Sequence, residues 1–157
     1  MKPGTFTQLY IHLIFAPKYR DRLLTKEIRI LLNKYLSGIL NNRGHKSIIV
    51  NGYLDHIHIF LGLNPKESIS ELVAALKRES SRFLNEMNFY RGKFHWQDGY
   101  AAFSYSRSQI NKVYNYIQNQ ETHHKKKTFR EEYIDFMNKY GVEFKEEYLF
   151  EFFDIKE

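Results

Sequence analysis

Two short segments of this 157-residue chain carry residue types and spacings that could do chemistry. In Asp55-His56-Ile57-His58-Ile59-Phe60-Leu61 the strand period of two sends Ile57, Ile59 and Leu61 to one side and both histidines to the other. Their Cα atoms would then lie roughly 7 Å apart, close enough for two imidazoles to share one divalent cation, with Asp55 at hand as an N–H partner. Downstream, Tyr116 and Gln120 in Tyr116-Ile117-Gln118-Asn119-Gln120 are four apart. On a helix they share a face about 6 Å apart along the axis, one phenol beside one neutral oxygen ligand. A tyrosine oxygen next to a metal site is what covalent phosphodiester chemistry requires. Each segment taken alone leaves that chemistry open. A surface strand also carries histidine pairs, and Tyr116 could be ordinary packing with Gln120 solvated.

The elements that would position these residues follow from periodicity. Leu9, Ile11, Leu13 and Phe15 give a first strand with one apolar face. Ile28, Leu31, Leu32, Tyr35, Leu36, Ile39 and Leu40 predict an amphipathic helix ended by Asn42-Arg43-Gly44. Ser47–Tyr53 and Asp55–Leu63 read as two strands, with the turn at Asn51-Gly52 or at Leu54-Asp55. Ser68-Ile69-Ser70-Glu71 is a capping box opening a second helix, and a fourth strand runs from about Tyr100 to Ser106. A third helix starts near Ser108, with Ile110, Val113, Tyr114 and Ile117 as its buried face. Thr128–Glu131 is a second capping box, for a last helix stopping at Tyr140-Gly141. The order β-α-β-β-α-β followed by helices predicts an α+β, ferredoxin-like (split βαβ) sandwich. Its antiparallel sheet would carry helices on one face and leave the other free for a ligand. One domain over 1–157 is expected: a core over 1–107, a helix bearing Tyr116 over 108–127, and an acidic C-terminal helix and tail over 128–157.

Composition narrows the partner. Cysteine is absent, which excludes a disulfide scaffold, a thiolate zinc site and a cysteine nucleophile. No apolar run approaches the roughly 18 residues of a membrane span, so a cytoplasmic protein is expected. From Glu131 onward there are nine acids and three bases, whereas residues 1–130 hold 21 bases against nine acids. A body at +12 with 26 aromatic residues in the chain suits a polyanion with stackable faces, although a merely basic surface is also common. Lys77, Arg78 and Arg82, off the apolar stripe of the second helix, and the Lys125-Lys126-Lys127 run are candidates for DNA-backbone contacts.

Together the two segments resemble the HUH superfamily of single-strand DNA nucleases, and within it the small single-tyrosine transposases of bacterial insertion sequences. The likeness includes His12-Leu13-Ile14-Phe15-Ala16-Pro17-Lys18-Tyr19-Arg20, Asp55-His56-Ile57-His58, Trp96 to Tyr100, Phe103-Ser104-Tyr105-Ser106, Tyr116 to Gln120 and His123-His124. The resemblance implies Tyr116 as nucleophile and His56, His58 and Gln120 as ligands of Mg²⁺ or Mn²⁺. Tyr114 is the competing tyrosine; its spacing groups it with Val113 and Ile117 on the apolar face. The implied reaction leaves a 5′-phosphotyrosine and a free 3′-hydroxyl, and rejoins strands without ATP. The implied partners are hairpin-bearing single-stranded DNA and a second copy of the chain. In such a homodimer each Tyr116 helix would serve the partner's histidine pair, swinging on the polar Ser106-Arg107-Ser108 segment. A replication-initiator or relaxase nuclease and a non-catalytic nucleic-acid-binding module are the other readings; the short chain argues against the first and the histidine pair against the second.

Overall fold

Apolar alternation in the central strands builds a four-stranded antiparallel sheet in the computed structural model, which describes residues 3–153 and 155. Strands β1 (Tyr10–Phe15), β2 (Lys46–Tyr53), β3 (His56–Gly62) and β4 (Ala101–Tyr105) stand in the order β2-β3-β1-β4, compatible with the split βαβ sandwich. The turn between β2 and β3 falls at Leu54-Asp55. Gly52 lies inside β2, where an added Cβ would come within 2.2 Å of the His56 carbonyl oxygen. Glycine there lets β3 approach at the very residue that begins the histidine segment.

Register assigns the two faces. Leu13 pairs with Ile59, Ile11 with Leu61 and Phe15 with Ile57. That side packs in one core with α1 (Lys26–Asn42) and α2 (Ile69–Glu86) through Leu32, Leu36, Leu72 and Leu76. Both helices begin as their sequences require: Thr25 Oγ1 accepts from the Ile28 N–H, and Ser68 Oγ from the Glu71 N–H.

The opposite face is where the structure departs from expectation. It is not free. A 3₁₀ turn (Arg107–Gln109) leads into α3 (Ile110–Gln118), then a one-turn α4 (Gln120–His123) and α5 (Phe129–Lys139). Val113 and Ile117 of α3 pack on Phe60, and Phe129 of α5 stacks on His56 at 4.1 Å. Phe136 meets Phe103 at 5.4 Å and the edge of His12 at 5.5 Å. An aromatic stripe on α5 thus covers sheet positions that a ligand-binding face would leave open. The third-helix face is corrected as well. Val113, Tyr116, Ile117 and Gln120 form the inward stripe at i, i+3, i+4 and i+7, and Tyr114 points outward at 36% exposure. Asp154, Lys156 and Glu157 of the acidic tail lie outside the described residues.

Candidate active site

Strand β3 turns His56 and His58 toward α3–α5, and both are fully buried. Asn51 on the neighbouring strand holds the end of α3 in place: its Nδ2 donates to the Ile117 and Gln118 carbonyls at 3.0 and 3.2 Å. Those are carbonyls a helix end leaves without intrahelical partners. Gln120 and half-buried Tyr116 are thereby aimed at the histidine pair. The Tyr116 ring lies 6.0 Å from that of His58 within the same chain.

A carboxylate sits at the centre. Glu132 of α5, 2% exposed, faces His58 Nε2 at 3.1 Å and His56 Nε2 at 3.3 Å through Oε1. Through Oε2 it accepts hydrogen bonds from the Tyr116 hydroxyl and from Gln120 Nε2 at 3.2 Å. His123 and His124 approach the same oxygen, each at 3.3 Å. Gln120 Oε1 is 2.9 Å from His56 Nε2 and 3.0 Å from His124 Nε2. The outer nitrogens of the histidine pair are also engaged. Asp55 Oδ1 accepts from His56 Nδ1 at 2.8 Å, and His58 Nδ1 is 2.7 Å from His12 Nε2.

These contacts set the charge states. Burial disfavours a charged His56, but its hydrogen bonds to Asp55 and Glu132 outweigh that and push its pKa up to about 10. Burial holds His58 below the usual histidine range although Glu132 opposes the shift, and holds His12 well below it. Burial also acts against an ionised Glu132, yet the surrounding histidines, His58 foremost, keep it well below the usual carboxylate range. Tyr116 is raised, by burial first and then by the Glu132 charge.

The donor set suits a divalent cation. His56, His58 and Glu132 each offer a ligand atom within 4.8 Å of one another, nitrogens and a carboxylate oxygen with no thiolate. Adjacent ligands around an octahedral ion with bonds of about 2.1 Å lie roughly 3.0 Å apart. The separations from Oε1 to the two imidazoles, 3.1 and 3.3 Å, are near that edge length.

Comparison with known proteins then decides the family. Residues 5–120 match the family model for "Transposase IS200 like". The chain belongs to that family. The transposase is 28% identical to the ISDra2 transposase TnpA of Deinococcus radiodurans over 123 residues, 74% of this chain and 87% of the relative. It is 31% identical to the transposase for insertion sequence element IS200 of Salmonella typhimurium over 114 residues, 69% and 74% of the two chains. A solved Deinococcus radiodurans R1 protein assigned as a transposase superposes with a TM-score of 0.60 at 28% identity, covering 76% of this chain and 96% of that one. A REP-associated tyrosine transposase, solved bound to a REP hairpin, shares the fold with a TM-score of 0.57 at 12% identity, covering 79% and 74%. A transposase is thus favoured over the initiator, relaxase and non-catalytic readings.

The candidate residues fall in different places. Tyr116, His56, His58 and Gln120 converge. Lys125 and Lys127 of the transposase join Arg130, Tyr53, His124 and Phe152 around a cavity of about 520 Å³ beside the cluster. Lys126 is exposed next to it. Lys77, Arg78 and Arg82 lie on α2, across the sheet from the cluster. Lys77 Nζ donates to the Gln97 and Gly99 carbonyls at 2.8 and 2.6 Å, tying down the loop before β4. Two residues were not singled out from sequence. Glu132 counted as one acid among many in the C-terminal region, and His12 only as part of the first strand and of the stretch from His12 to Arg20, with no role of its own. The available signal for Glu132 was a lone carboxylate within the stripe Phe129, Tyr133, Phe136.

Proposed function

We propose that this transposase cleaves and rejoins single-stranded DNA at hairpin-bearing ends of a mobile element, through a 5′-phosphotyrosine on Tyr116. One observation carries the reading: Tyr116, His56, His58 and Gln120, from a strand and two helices, meet in one buried cluster. In the reaction the Tyr116 oxygen forms a bond to the scissile phosphorus, and the bond to the 3′-oxygen breaks, releasing a 3′-hydroxyl once protonated. Because the phosphoester is conserved, a second 3′-hydroxyl can reverse the step without ATP. A Mg²⁺ or Mn²⁺ ion held by His56, His58 and Gln120 would neutralise charge developing on the non-bridging oxygens. Lys125, Lys127 and Arg130 line the adjoining cavity and suit the flanking phosphates. The hairpin preference draws support from the REP-hairpin complex of the structural neighbour. The unit acting is the whole chain, 1–157, working on DNA in the cytoplasm.

The test is a denaturation-resistant adduct with a single-stranded hairpin oligonucleotide. It is expected with Mg²⁺ or Mn²⁺, lost in excess chelator, and absent with blunt random duplex; an adduct indifferent to chelator would contradict the reading. We further propose a homodimer in which the Tyr116 helix exchanges between subunits. In the single chain Tyr116 already reaches its own histidine pair, and Ser106-Arg107-Ser108 ahead of α3 supplies a polar hinge. Mixing Tyr116→Phe with His56→Ala protein should restore cleavage in heterodimers. Heterodimers that form and stay inactive would remove the shared site.

A further inference from the structure

Glu132 lies beyond the 5–120 stretch that matches the family, yet its carboxylate is the hub of the cluster. Burying an ionised carboxylate to this degree is costly unless positive charge compensates it. Among the described residues no lysine or arginine pairs with it; the nitrogens that surround it belong to His56, His58, His123 and His124. Resting on the metal-dependent reading above, we propose that Glu132 is a protein ligand of the divalent cation, binding through Oε1 beside His56 and His58.

Three observations support this assignment. The Oε1 separations from the two imidazole nitrogens, 3.1 and 3.3 Å, and the 2.9 Å between Gln120 Oε1 and His56 Nε2, approach the roughly 3.0 Å edge of an octahedral site. Asp55 and His12 face the outward Nδ1 atoms, so each ring can hold its proton there and turn Nε2 to the ion. An anionic oxygen added to the neutral donors of His56, His58 and Gln120 also suits a hard cation. His123, His124 and Glu132 form another possible ligand group. There, however, Oε2 already accepts from the Tyr116 hydroxyl and the Gln120 amide. Oε1 is therefore the metal side, and the same carboxylate ties the Tyr116 hydroxyl to the ion's position.

The test titrates metal-stripped, full-length protein with Mn²⁺ alone, following free Mn²⁺ by electron paramagnetic resonance. Glu132→Gln should weaken binding at least tenfold and lose the Mn²⁺-dependent rise in Tm, with Glu132→Asp partly restoring both. Wild-type crystals soaked in Mn²⁺ give a second arm that does not depend on the folding of a variant, in which the anomalous peak should be bonded to Glu132 Oε1. Wild-type affinity in Glu132→Gln while His58→Ala loses binding would overturn the assignment. So would a peak bonded to His56 and His58 with Glu132 turned away. Unchanged binding in His58→Ala, or no Mn²⁺ bound by the wild type, would instead sink the metal reading itself and the assignment with it.

Discussion

His12 shows how a single side chain can act through another. His58 can present Nε2 to an ion only if its proton sits on Nδ1, and Nδ1 is 2.7 Å from His12 Nε2. His12 Nδ1 in turn is 3.3 Å from the Tyr105 hydroxyl, so the relay ends on β4. Replacing His12 by leucine puts an apolar side chain at this buried position and removes the acceptor. His12→Leu should therefore weaken Mn²⁺ binding by roughly 10- to 100-fold, the usual cost of losing a partner to a ligating histidine. Calorimetric titration checks this; an unchanged affinity in a folded variant would show that His58 is oriented by packing alone. At this scale the sequence was informative wherever spacing maps onto periodicity. His56 and His58 share a strand face, and Tyr116 and Gln120 share a helix face. It was silent where the partner comes from another element: nothing local to His12 or Glu132 announces that each meets His58 across more than forty residues.

At the scale of elements, the capping signals translated directly into structure, since a serine or threonine three residues before a free N–H needs only local geometry. The face of the sheet did not. Reading it as covered required knowing that Phe129 and Phe136 would fold back over it, a long-range contact that periodicity cannot reveal. The two-way ambiguity of the β2–β3 turn has the same origin, settled by the close approach of β3 to Gly52. A second cross-element contact gives a pH prediction. Glu67, before α2, hydrogen-bonds to Arg43 at the C-cap of α1 and to His45 ahead of β2. Its pKa is lowered from 4.5 to about 2, mainly by the Arg43 hydrogen bond. The folded value lies below the unfolded one, so the unfolded chain binds more protons between these limits. This stabilisation is complete above about pH 4.5 and fades as the pH falls toward 2. Glu67→Gln should lower Tm at pH 6 and flatten the decline of Tm with acid. Parallel Tm profiles for the two proteins would contradict it.

Across the whole molecule, a basic body of 130 residues meets an acidic C-terminal segment at the cluster itself. That segment is fastened to the body: Gln97 Nε2 donates to the Glu151 carbonyl at 2.8 Å, and the Glu151 N–H to Gln97 Oε1 at 2.6 Å. His56 and His58, at 0% exposure, lie beneath α5, with Phe129 stacked on His56 and Glu132 against His58. The family match stops at Gln120, so the layer that closes the cluster lies beyond it. All of this turns on Tyr116 being the residue that attacks. The direct measurement is peptide mapping by mass spectrometry of the adduct formed with a single-stranded hairpin oligonucleotide, on wild type, Tyr116→Phe and Tyr114→Phe. The nucleotide should be found on Tyr116, vanish in Tyr116→Phe and persist in Tyr114→Phe, whose side chain faces solvent. A nucleotide mapped to Tyr114, or cleavage by water with no adduct on any tyrosine, would contradict the account.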